Sequence, residues 1–176
     1  MTGAEFADHA ENGGYIGIPY TKLDCQGFVE RVLKDSGIRK SNGTVYDWRG
    51  SNSMFRYYYQ WRGTIAACKK KFGCIPSGAL VFKMRDDNGE EERGYTDGLG
   101  NYYHVGIYIG KPDKCVIHST TGGVQWAKNL NGWTHVTLLS MLDYNQKNTD
   151  NKDVPTVADV IKKLKAIITD LERISK

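Results

Sequence analysis

Hydrophobic and polar positions divide the chain into a helical first part, a stranded second part and an amphipathic tail. Residues 3–11 carry helical spacing that Asn12-Gly13-Gly14 ends. Asp24 is a good N-cap, and behind it Phe28, Val29, Val32 and Leu33 recur as one helical face, with Gly37 as the stop. That spacing makes Cys25 the first residue of a helix. Residues 39–63, rich in Trp, Tyr, Arg, Asn and Gly, predict a long loop with a short helix around Met54-Phe55-Arg56. A turn at Pro76-Ser77-Gly78 leads into a buried strand through Phe82. The polar, Gly-rich stretch 85–101 predicts a surface excursion, followed by strands at 102–109, 114–119 and 134–139. Helices followed by a run of antiparallel strands predict an α+β domain over residues 1–144.

Beyond it, 145–155 is a polar linker, and Thr156 and Asp159 form a capping box for an amphipathic helix over 156–176. Val157, Ile161, Leu164, Ile168 and Leu171 follow a heptad-like spacing over fewer than three repeats. A helix docked on its own domain is the expectation, with self-association as the alternative.

Strand parity brings chemistry into this outline. His104, Gly106 and Tyr108 share one face of their strand, while Val105, Ile107 and Ile109 form the apolar one. If 110–114 makes the turn with Ile109 opposite Cys115, then His118 pairs with Gly106 and lies diagonal to His104 on the same face. Gly106 between them leaves room for another backbone or for the helix of Cys25. A thiol at a helix start gains thiolate character from the exposed N–H groups and the helix dipole. The same N–H groups, beginning with that of Cys25, can receive an oxyanion. A triad follows in which Cys25 attacks, His104 is base and then acid, and His118 orients His104. Each residue taken alone is more simply read as packing; the shared face and the helix-start position favour the triad. His9 and His135 lack such company.

Composition narrows the partners. The net charge is +4 with no basic stripe, which suits an anionic surface such as a cell wall and excludes a nucleic-acid binder. Zinc-type spacings are absent, so neither a metal nor another cofactor is expected. Cys68 and Cys74 are close enough in sequence to bridge, though nothing requires it. No run is apolar enough for a membrane span, and Met1-Thr2-Gly3-Ala4-Glu5-Phe6 has no signal-peptide character. The expectation is a protein made in the cytoplasm that reaches the wall by lysis, phage delivery or non-classical secretion.

Several segments occur in an order that resembles the NlpC/P60 family of papain-like cysteine peptidases. They are Gly17-Ile18-Pro19-Tyr20, Asp24-Cys25-Gln26-Gly27-Phe28-Val29, Ile75 to Phe82, His104-Val105-Gly106-Ile107-Tyr108-Ile109-Gly110 and Val116-Ile117-His118-Ser119. The match covers roughly residues 4–143. Gly132-Trp133 and Leu142-Asp143-Tyr144 are most similar to the prophage-encoded members of Gram-positive bacteria. The resemblance implies a papain-like fold and hydrolysis of peptidoglycan stem peptides after D-γ-glutamyl and before a diamino acid. It implies the same roles for Cys25, His104 and His118, and substrate contacts for Tyr20, Asp24 and the position of Gln26. The family usually has serine at that last position, and its Trp-Gly-Gly before the Asp-Cys pair is missing here. The alternatives are an amidase or acyl transferase on the same scaffold, and a non-catalytic wall-binding or phage structural module.

Overall fold

The protein, described from a computed structural model over residues 1–85, 95 and 97–144, is mixed α+β. It divides into two compact units, Met1–Asn145 and Gln146–Lys176. The expected linker and C-terminal helix lie outside the described residues, as does most of the polar stretch 85–101. The described residues of the first unit form four helices and six strands in the order α1 (Gly3–Asn12), α2 (Cys25–Asp35), α3 (Gly50–Arg56), β1 (Tyr59–Thr64), α4 (Ile65–Phe72), β2 (Leu80–Arg85), β3 (Asn101–Lys111), β4 (Lys114–Thr120), β5 (Gly123–Ala127) and β6 (His135–Leu139). The strands form one antiparallel sheet in the order β1-β6-β2-β3-β4-β5. Among the described residues no helix is long and apolar enough to cross a membrane.

Alternation along the strands sends side chains into two cores. Leu80, Phe82, Val105, Ile107, Ile117 and Leu139 join Phe6, Phe28, Val29, Val32 and Phe55 from α1, α2 and α3. Val81, Val116, Val136 and Leu138 meet Cys68 of α4, Ile75 and Trp133 in the second. Burial on both faces is why these strands read as nearly continuous apolar runs.

Local chemistry fixes the helix starts. Thr2 and Glu5 close a reciprocal capping box on α1, and Asp24 accepts the Gly27 N–H at 2.6 Å on α2. The start of the chain is held to the end of the domain, with Gly3 N donating to Asp143 O at 2.8 Å.

Two features depart from expectation. The segment 39–63 carries its expected short helix as α3, but its end also enters the edge strand β1, whose half-exposed Tyr-Gln-Trp-Arg-Gly-Thr sequence lacks apolar alternation. The strand β5 was not anticipated, because Gly123 (φ 88°) and a five-residue length disguise it. Cys68 and Cys74, whose pairing the sequence left open, form no disulfide, and Cys68 Sγ donates to the Cys74 carbonyl at 3.7 Å. Burial pushes the Cys68 thiol up to about 11.

Candidate active site

The hairpin β3–β4 has the expected pairing around the histidines, with Ile107 facing Ile117 and Tyr108 facing Val116, but the turn is tighter than expected, at residues 112–113, with Lys111 opposite Lys114 across a register shift. The pattern puts Gly106 beside His118, and a Cβ on Gly106 would stand 3.0 Å from the His118 Cβ and 2.6 Å from Val116 Cγ1. The room at Gly106 is thus taken by β4 itself. The helix α2 instead packs on the opposite face, with Phe28, Val29 and Val32 in one core with Val105 and Ile107.

His104 Nε2 and His118 Nδ1 lie 2.7 Å apart. Trp133 closes over both rings, 5.5 Å from His104 and 5.3 Å from His118 between centroids. Lys83, register partner of His104, holds its ammonium 5.2 Å from the Trp133 ring. Burial, then His118, then Lys83 hold the His104 imidazole down at about 3. His118, only 7 % exposed, is held at about 4 by burial and then Lys83. Both rings are therefore neutral at neutral pH. If the shared proton sits on His104 Nε2 and is donated to His118 Nδ1, then His104 Nδ1 carries a lone pair able to accept a proton.

Cys25 occupies the first position of α2 and is 7 % exposed. Its sulfur faces the backbone N–H of Val105, the residue after His104, together with the Gln26 N–H and the Tyr20 hydroxyl, all of which draw its value down. Burial nevertheless outweighs these donors and raises the thiol above its ordinary value, with the Asp24 charge adding to the rise. The helix start alone predicted the opposite direction. At rest the thiol is protonated and both imidazoles are neutral, with α2 on the sheet face opposite the two rings, so a proton passing from sulfur does so during attack rather than before it. In the first turn Asp24 takes the Gly27 and Phe28 N–H groups, and the Gln26 N–H turns to the sulfur. The N–H of Cys25 itself faces the Tyr20 hydroxyl oxygen, which an oxyanion would have to displace.

Tyr20 is exposed, and its loop is fastened to β5 by Gly17 N to Val124 O at 2.8 Å and Val124 N to Ile18 O at 2.9 Å. Ser119, fully buried on β4, donates to the Leu23 carbonyl just ahead of the nucleophile. Gln26 behaves differently from a substrate contact. Its Nε2 donates to Glu30 Oε1 at 2.7 Å and to the Trp48 carbonyl, and its Oε1 accepts from the Gly50 N–H. Glu30 Oε1 also takes the Trp48 N–H at 2.7 Å. Both ends of the Gln26 amide are committed to the loop before α3, so glutamine stands where it can clamp a loop to the nucleophile helix.

Sequence reasoning missed Trp133 and Lys83. Trp133 lies in a turn far from either histidine in sequence, and Lys83 carried no signal beyond its place on β2. Comparison with protein-family models, curated proteins and solved structures returns no match.

Proposed function

We propose that this protein is a thiol hydrolase of peptidoglycan stem peptides, with Cys25 as nucleophile, His104 as base and then acid, and His118 as the group that orients His104. The observation that carries the reading is the 2.7 Å contact between His104 and His118, on the strand whose next peptide N–H meets the Cys25 sulfur. Attack transfers the thiol proton from Cys25 Sγ to His104 Nδ1 as sulfur bonds to the scissile carbonyl carbon. His118 Nδ1 accepts from the imidazolium so formed, and the Cys25 N–H meets the oxyanion. Collapse returns the proton to the leaving amine and gives a thioester, which water then hydrolyses with His104 as base. The resemblance to NlpC/P60 peptidases supplies the substrate: an amide after D-γ-glutamyl and before a diamino acid.

Muropeptide profiling of purified cell walls tests the proposal. The wild-type protein should release new amino termini at that bond, and Cys25→Ala should release none. Walls that Cys25→Ala digests as well as wild type would sink the mechanism. An unchanged profile with tight wall pelleting would point to a binding module.

A further inference from the structure

The loop that Gln26 clamps forms one side of a cavity that the chemistry above does not use. This cavity, of about 430 Å³, is lined by Lys40, Asp47, Trp48, Arg49, Tyr57 and Tyr58 together with Ser53. Its size falls within the ~300–1,000 Å³ range of small-ligand sites. Gln26, next to Cys25, bonds to Trp48 O and Gly50 N, so the cavity wall is tied directly to the nucleophile helix.

Its walls are aromatic. Tyr46 stacks on Trp48 at 5.7 Å, and Tyr58 meets both edge-on, at 5.2 Å and 5.7 Å. The rings of Tyr57 and Tyr58 remain exposed. Tyr58 also holds a φ of 60°, a left-handed conformation that a bulky residue rarely adopts. Such strain collects at ligand sites, where the fold holds a side chain in place against its preference. The cationic group of Lys40 is already matched by Asp47 at 2.7 Å, while it lies over the Tyr46 and Tyr58 rings at 5.8 Å and 5.6 Å. The lysine is thus matched, and Arg49 adds one exposed guanidinium to the lining. Exposed rings beside a matched donor–acceptor pair suit a neutral ring edged with hydroxyl and amide groups.

We infer that this cavity is a saccharide subsite, seating an N-acetylated sugar of the glycan strand that carries the stem peptide. The inference rests on the peptidoglycan reading for its choice of ligand, and extends the substrate from a peptide to a glycan-linked peptide.

The test uses the full chain with Cys25→Ala and the N-acetylglucosaminyl–N-acetylmuramic acid disaccharide as probe, read by saturation-transfer NMR. The disaccharide should bind, and its signal should be lost on adding either Tyr57→Ser or Tyr58→Asn; asparagine tolerates the positive φ. Using otherwise wild-type protein, KM for a disaccharide-tetrapeptide should lie about three- to tenfold below that for the free tetrapeptide, the worth of one aromatic contact. Either tyrosine change should bring the two KM values together. No saturation transfer, transfer unchanged by both variants, or displacement of the disaccharide by free tetrapeptide would each overturn the subsite. Disaccharide binding without any wall hydrolysis would leave the subsite standing while removing the peptidase reading.

Discussion

Lowering the pH should unfold this protein through its two paired histidines. His104 is held at about 3 and His118 at about 4, against an ordinary 6.5, by burial first and then by neighbouring positive charge. A base with a depressed native value stays neutral in the fold, while the unfolded chain takes up the proton. The stability is complete above the unfolded value and is lost as pH falls from about 6.5 towards the native values. Near pH ~5 both unfolded histidines are almost fully protonated and the native ones almost bare, so unfolding takes up close to two protons. Stability should therefore fall by roughly 2 kcal/mol between about pH 6 and about pH 5. Urea unfolding followed by tryptophan fluorescence at those two pH values measures this directly. The control is the double variant His104→Asn, His118→Asn, which keeps the other titrating groups, including His135 with its lowered value and Glu30 with its raised one. Its dependence on pH over that interval should be shallower by most of that amount. Equal slopes in the two proteins would refute the claim that the pair is buried and neutral.

Three further outcomes follow from the geometry. Gly106→Ala places a Cβ 2.6 Å from Val116 Cγ1 and 3.0 Å from the His118 Cβ. It should cost about 1–3 kcal/mol by overpacking and disturb the histidine pair, which ring-resonance NMR of His118 would register. Gln26→Ala removes the side-chain bonds to Trp48 O and Gly50 N, and calorimetry should show a loss of about 1–3 kcal/mol. Arg56, 4 % exposed at its side chain, donates to Asp97 from Nε and Nη2 at 2.7 Å each. Asp97→Ala removes the counter-charge of that buried cation but leaves its bonds to Asn52 and Gly100; with Asp97 40 % exposed and screened, the loss in chemical denaturation should be about 1 kcal/mol, below that of a fully buried pair.

What the sequence made legible was what parity and capping govern. Asp24 as N-cap put Cys25 at the helix start, and alternation along 102–109 and 114–119 brought His104 beside His118. Both are local rules with a fixed period, so the register followed from one assumption about the turn. What was hidden depends on tertiary contacts without a local signature. The edge strand β1 buries little and shows no alternation. Trp133 shields the histidines from a turn before β6, and its role comes only from the sheet order. The direction of the Cys25 shift was misread for a related reason. The helix start is visible in sequence, whereas the burial that outweighs it is not. Gln26, expected at a substrate contact through the family resemblance, instead spends its amide on Glu30, Trp48 and Gly50.

The central claim is that Cys25 carries the acyl group between the two halves of the reaction. Acid-quenched mixtures of the protein with a stem tetrapeptide, analysed by intact mass and peptide mapping, test it most directly. A transient adduct with the mass of the amino-terminal fragment less water should appear, mapped to Cys25 and absent from Cys68, Cys74 and Cys115. Turnover of the tetrapeptide with no such adduct, continuing in Cys25→Ala, would contradict it.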